Sequence, residues 1–486
     1  MIFNSYLFFA FFGILAIVFP FISQHRRWIL LLLASLFFSA WASPKGLCFL
    51  LFSGLVTYFC TVLMEKQRSQ AKLILFLDIL INLGLLLATK YLNFFLGLFS
   101  DRHFSLFVPL GISFYTFMII GYAIDVYREL IPAQHHFGKL LLFTCWFPQM
   151  LTGPISRYSE ISEALWEPPA PEYARCREAL VLFAWGLFKK CCVADGLSVY
   201  VDLIYGNYSA WHGLLAFSGA VAYAFFLYAD FSGCIDMARG VSLYFGVRLP
   251  ENFHLPYFAD SVEDFWRRWH MTLSSWFRDY LFYPLMRTRL LSGMSKALRK
   301  KGYKKASRIL PVSLALLVVW TFTGLWHGAN GTFLLWGLYF GCLMILSNIL
   351  NVVRKARKPS RHRWLSILLT FILVCFGYVF FNSDSIRAAW GMVHSIFSGS
   401  ILDWQALKTL GIMFYKNTGG SVYFGVTLVS SLLLLLHDVL EYSGVPVFSR
   451  IQKWNRPLRY LLSGLAILLL LFMLNRSHTD FTYMQF

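Results

Sequence analysis

Residues 323–336 read TGLWHGANGTFLLW, which sets a histidine, His327, and an asparagine, Asn330, among glycines at the turn of what otherwise reads as a membrane hairpin. The preceding run, 309–325, is apolar enough to span a bilayer as a helix, and 333–353 is apolar enough to return. Both outer ends are basic. Arg287, Arg289, Lys296, Arg299, Lys300, Lys301, Lys304, Lys305 and Arg308 come before the hairpin, and Arg354, Lys355, Arg357, Lys358, Arg361 and Arg363 follow it. Positive flanks of this density mark cytoplasmic loops, so the turn at His327 is expected across or deep within the bilayer. An ionisable side chain there is costly and is a functional candidate by default. Gly324 and Gly328 also form a small-xxx-small pair of the kind that packs membrane helices. On the local pattern alone, His327 reads equally well as a hydrogen-bonding group within such packing.

Composition sets the class. A chain of 486 residues that is 58% hydrophobic and 14% charged is expected to be an all-α polytopic membrane protein. The formal charge of +19 lies in short loops between apolar runs, which is the positive-inside pattern, so no nucleic-acid partner is expected. The first apolar run, 6–22, has no basic residue before it and Arg26 and Arg27 after it. It is therefore expected to remain as the first span, with its N-terminus outside the cytoplasm. Nine cysteines without a CxxC pair indicate neither a disulfide framework nor a zinc site.

In chain order, spans are expected near 6–22, 28–42, 47–64, 73–99, 104–123, 179–205, 214–233, 365–381, 423–440 and 458–474. With the hairpin this makes about eleven or twelve, in a single membrane-embedded domain over residues 1–486. The segment 139–161, KLLLFTCWFPQMLTGPISRYSEI, is too short in its apolar part to span and is broken by Pro148, Gly153 and Pro154. It is expected to be re-entrant or interfacial and bedded in protein, because broken backbone at membrane depth needs partners other than lipid. Residues 382–421 are the extended non-cytoplasmic stretch, and no internal repeat points to a transporter.

Residues 262–286, VEDFWRRWHMTLSSWFRDYLFYPLM, are the second informative stretch. At 100° per residue Phe265, Trp266, Trp269, Leu273, Trp276, Phe277, Tyr280 and Leu281 fill one arc, while Arg267, Arg268, Thr272, Ser274, Ser275, Arg278 and Asp279 fill the other. The expectation is one amphipathic helix at the cytoplasmic interface, with His270 on the aromatic, inward face.

Two histidines with no metal-ligand spacing, nucleotide-binding loop, nucleophile elbow or carboxylate dyad beside them suit acyl transfer. A hydroxyl must lose a proton as it attacks a thioester carbonyl, and a neutral imidazole is suited to take it. Asn330, the Trp326 indole N–H and loop amides are available in type as donors to the oxyanion.

The stretches ENFHLPYF (251–258), DFWRRWHMTLSSWFRDYLFYPL (264–285) and TGLWHGANGTFLLWG (323–337), with the terminal FTYMQF, resemble the membrane-bound O-acyltransferase (MBOAT) family. The likeness is to its bacterial branch, the one that includes alginate O-acetylation. It implies a helix bundle around a central tunnel, with His327 as the essential histidine and His270 as the second motif histidine. Trp326, Asn330, Trp266, Arg267, Asp279 and Asn252 are then tunnel or substrate candidates. The resemblance also implies acetyl-CoA or another acyl thioester as donor, with no bound cofactor and no metal. An extracytoplasmic acetyltransferase partner or a polysaccharide is implied as acceptor, and a bacterial cytoplasmic membrane location follows. His254 after Asn252-Phe253, and Gly331 before Thr332, depart from the alginate-type pattern. A transporter or flippase with a histidine relay, and a non-catalytic subunit of an export complex, are the alternative readings.

Overall fold

The first arm of the central hairpin, Ala306–His327, carries Pro311 within it. Proline has no amide to donate, so the carbonyl four residues back loses its helical partner. The Ser295 hydroxyl fills that gap, donating to the Ser307 carbonyl oxygen at 2.9 Å. The arm therefore stays helical to His327, after which Gly328, Ala329 and Asn330 turn the chain into the second arm, Gly331–Arg354. In the computed structural model the described residues are 2–97, 104, 107–150, 152–354, 362–417 and 421–474. The terminal FTYMQF and most of the second basic loop lie outside them.

Among the described residues the protein is helical, with no strand and one isolated bridge, Phe253 to Trp269. Eight helices are long and apolar enough to cross a membrane: Pro44–Lys66, Arg68–Leu96, Leu214–Tyr244, Ala306–His327, Gly331–Val353, Arg363–Asn382, Val422–Tyr442 and Arg456–Leu474. The protein is thus an all-α, multi-pass membrane protein. The other expected spans also fold as helices, in altered form. Tyr6–Val18 and Ile112–Tyr127 are short, Gln24–Ala42 begins with polar residues, and 179–205 is interrupted by a π-helical turn at Lys189–Ala194. The start of 104–123 moves to Ile112 because Gly111 turns the chain at a φ of 75°. The stretch 382–421 contains two helices, Ile386–Phe397 and Trp404–Asn417.

The described residues divide into two compact units, Met1–Gly186 with Cys234–Glu251, and Leu187–Gly233 with the described residues from Asn252 on. In the first, the broken segment runs as Phe137–Cys145 and Phe147–Met150, with Trp146 and Phe147 fully buried. Protein groups supply what lipid cannot. The Trp146 indole donates to Ser242 Oγ at 3.0 Å, the Phe147 amide donates to Ser35 Oγ at 3.3 Å, and Gln149 donates to the Phe143 carbonyl at 2.9 Å.

In the second unit the hairpin arms meet through glycine. A Cβ on Gly324 would stand 2.5 Å from the Phe333 carbonyl oxygen, and one on Gly337 would stand 2.4 Å from the Trp320 carbonyl oxygen. The backbone contact is therefore Gly324 against Gly337, between arms. Gly328 instead leaves room for the Phe333 ring, whose Cε2 would lie 2.3 Å from a Cβ there.

Candidate active site

The helix expected across 262–286 is not continuous. It runs as Val262–Arg268, breaks at Trp269 and His270, and resumes as Met271–Phe277 before a π-helical turn at Arg278–Phe282 and a last piece at Tyr283–Arg287. His270 stands in the left-handed region at φ 46°, a conformation that costs a side-chain-bearing residue energy unless its surroundings hold it. The loop at 252–254 provides that hold. Its Asn252 carbonyl accepts the Met271 amide at 3.0 Å, while the His254 amide donates to the Arg268 carbonyl at 2.9 Å. Asn252 Oδ1 also accepts the Thr272 amide at 3.0 Å and the Thr272 hydroxyl at 2.9 Å. The periodicity of 262–286 carries no sign of this break, because the groups that make it lie outside the stretch.

His270 Nδ1 lies 3.3 Å from the same Asn252 Oδ1. That oxygen is fixed as the acceptor by the backbone amide of Thr272, so His270 donates through Nδ1–H and its Nε2 carries the lone pair. Burial holds the imidazole far below its ordinary 6.5, at about 3, so it is neutral at physiological pH.

The two candidate histidines come together. Their ring centres are 6.4 Å apart, and both are almost wholly buried. From sequence, His270 is expected at the cytoplasmic interface and His327 deeper in the bilayer; the two rings are neighbours. Trp326 packs beside both, with its ring centre 5.8 Å from that of His270 and 4.9 Å from that of His327. Phe231 packs on His270 at 4.9 Å. Trp336 at 4.8 Å and Phe381 at 5.2 Å pack around His327, each edge-on to its ring. Trp266 lies one ring further out, 5.6 Å from Trp336 and 4.7 Å from Trp320.

The remaining candidates sit elsewhere or do other work. Arg267 is mostly exposed and pairs with Glu263 one turn back. Asp279 pairs with the neighbouring Arg278 at 2.9 Å. Asn330 is half-buried, and its amide ties down the turn: Nδ2 donates to the Asp384 carbonyl at 3.1 Å, and Oδ1 accepts the Thr332 amide at 3.2 Å. One of its two N–H donors is thus engaged.

Several residues had no role in the sequence reading. Trp336 and Phe381 were lost among ordinary apolar positions. Lys190 is wholly buried, with Nζ 2.8 Å from Asp230 Oδ1 and 2.9 Å from Asp195 Oδ1, and Lys189 donates to Ser232 Oγ at 2.9 Å. Two lysines inside an apolar run are the signal that marks such a cluster.

Residues 19–387 match the membrane-bound O-acyltransferase (MBOAT) family. Over 469 residues, 93% of this chain and 84% of the relative, the chain is 32% identical to the probable alginate O-acetylase AlgI of Pseudomonas aeruginosa. It is 32% identical to the peptidoglycan O-acetyltransferase of Helicobacter pylori over 74% of this chain and 71% of that protein. It is also 32% identical to the teichoic acid D-alanyltransferase of Bacillus subtilis over 56% of this chain and 68% of that protein. The chain belongs to the membrane-bound O-acyltransferase family and is an O-acyltransferase.

Proposed function

We propose that this enzyme transfers an acyl group, acetyl in the first instance, from a cytoplasmic thioester such as acetyl-CoA to a hydroxyl of a cell-envelope glycan, with His327 as general base. The observation that carries the reading is the pairing of His270 and His327, 6.4 Å apart and buried in one aromatic box. The names of its relatives support the acceptor class, since they act on alginate, peptidoglycan and teichoic acid.

The attacking hydroxyl oxygen forms a bond to the thioester carbonyl carbon, the carbonyl π electrons move to oxygen, and His327 takes the hydroxyl proton. Collapse restores the carbonyl and breaks the C–S bond, and the thiolate leaves with the proton that His327 returns. The buried rings keep water from competing as nucleophile. His270 supports the donor side of the same centre, its Nδ1–H held by Asn252. The basic helix Arg289–Lys300 and the following loop mark the cytoplasmic side, where the donor enters. The location is the bacterial cytoplasmic membrane, and a glycan or an extracytoplasmic acetyltransferase protein accepts the acyl group on the outer side.

The test is transfer from radiolabelled acetyl-CoA in membrane vesicles of both orientations, with the wild type and folded His327→Ala protein. Incorporation from the cytoplasmic face that falls by about 10²–10⁴ in the variant is expected. Near-normal transfer by His327→Ala, or label that crosses the membrane without becoming covalently attached to acceptor, overturns the reading.

A further inference from the structure

Acyl transfer needs hydrogen-bond donors at the carbonyl oxygen as well as a base, because negative charge develops there when the hydroxyl attacks. The side-chain donors expected from sequence do not supply a clear pair. Asn330 commits one N–H to the Asp384 carbonyl and its oxygen to the Thr332 amide, so its orientation is fixed by the turn. The second arm of the hairpin offers two others.

Trp336 is 1% exposed, and its indole Nε1 has no hydrogen-bond partner among the described residues. Thr332 is likewise 1% exposed, and its hydroxyl has none. Buried polar atoms without partners are uncommon, since each forfeits a bond it makes in water, and those that persist call for an explanation. Thr332 is the second residue of the Gly331–Arg354 helix, so no helical turn precedes it to take its hydroxyl, unlike Thr323, which donates to the Val319 carbonyl at 2.8 Å. Thr332 and Trp336 are four apart on the Gly331–Arg354 helix, so they share one face. Trp336 on that face packs edge-on against His327 at 4.8 Å. Two uncommitted donors thus share one helical face, and the Trp336 ring on that face packs against the proposed base.

We propose that the Trp336 indole N–H and the Thr332 hydroxyl form the oxyanion site of this enzyme, donating to the thioester carbonyl oxygen as the tetrahedral intermediate forms beside His327. The inference rests on the reading of His327 as base. In the reaction both donors hold the oxygen while the C–O bond forms and release it as the C–S bond breaks; neither gives up its proton. The Trp336 ring is held by its packing before substrate arrives, which is the condition under which such a bond lowers a barrier instead of merely tightening binding.

The experiment removes each donor, with a shape-preserving replacement at each position. Thr332→Val exchanges the hydroxyl for a methyl, Trp336→Phe keeps an aromatic ring without N–H, and benzothienylalanine at position 336 keeps the whole bicycle with sulfur in place of N–H. Turnover of radiolabelled acetyl-CoA is measured with full-length protein in native membranes, with His327→Ala alongside. The expected result is a fall in kcat of about 10²–10³ for loss of the Trp336 N–H and at least about tenfold for Thr332→Val, with KM for acetyl-CoA within about threefold of wild type. Wild-type kcat in the benzothienylalanine protein, or a change confined to KM, overturns the proposal. If His327→Ala is inactive while both donor variants are normal, the oxyanion site alone fails. If His327→Ala is active, the underlying reading fails.

Discussion

His270 donates from Nδ1 to Asn252 Oδ1 across 3.3 Å, and the same oxygen caps the chain just after it by accepting both the amide and the hydroxyl of Thr272. One buried amide thus fixes a backbone break, an unusual φ and an imidazole tautomer together. Replacing Asn252 with alanine strands these donors where water does not reach, at about 1–3 kcal/mol for each group left unpaired. Asn252→Ala protein is expected to melt several degrees lower in detergent and to lose transfer. Unchanged melting would show that the 252–254 loop does not hold His270 in place.

The neutral state of His270 carries a pH dependence. Its folded pKa, about 3, lies below the unfolded 6.5, so between these values the unfolded chain binds a proton that the folded chain excludes. Stability from this group is complete above pH 6.5 and is lost as pH falls toward 3. The slope is about 1.4 kcal/mol per pH unit, or roughly 2 kcal/mol by pH 5. Melting in detergent should drop between pH 7 and 5 in the wild type and less steeply in His270→Gln. Parallel curves for the two proteins would contradict the assignment.

The hairpin was legible in the sequence because its determinants are local: two apolar runs, basic flanks and a glycine turn all fall within one stretch. The burial of His270 among aromatic rings was legible too, from its place on the aromatic arc. The break beneath it was not, since Phe265, Trp269, Leu273 and Trp276 keep helical spacing through a point where Asn252 and Phe253 intervene from outside. Trp336 was hidden for a related reason. An apolar helix face shows which residues are buried, but only the fold shows which buried polar atoms have partners. The Lys190 cluster joins Asp195 and Asp230 from separate helices, a pairing that no local pattern in 179–205 reveals.

The close approach of the hairpin arms makes two glycines irreplaceable. Gly324→Ala would set a methyl 2.5 Å from the Phe333 carbonyl oxygen, and Gly337→Ala would set one 2.4 Å from the Trp320 carbonyl oxygen. Both neighbours are backbone, so the arms must part, moving Trp336 away from His327. Each variant is expected to lower folded protein in the membrane and to abolish transfer. Gly425→Ala and Gly464→Ala, where a Cβ meets nothing within 4 Å, serve as controls expected to behave as wild type. Equal behaviour of all four would refute the glycine-to-glycine packing of the hairpin.

Lys190, in the π-helical turn Lys189–Ala194, pairs with two carboxylates, with the lysine and Asp230 fully buried and Asp195 nearly so. Such a group is held by its completeness. Lys190→Met leaves two buried aspartates facing each other without their cation, at a cost of about 3–5 kcal/mol, whereas replacing all three members by neutral residues of similar volume removes the charges that need one another. Because Asp230 directly precedes Phe231, whose ring packs on His270 at 4.9 Å, collapse of the group should also disturb the site. The expected order of thermal stability is wild type, then the triple variant Lys190→Met, Asp195→Asn, Asp230→Asn, then Lys190→Met alone, measured by the amount of monodisperse protein that survives heating in detergent. A triple variant no more stable than Lys190→Met would mean that Lys190 acts through contacts other than its two aspartates.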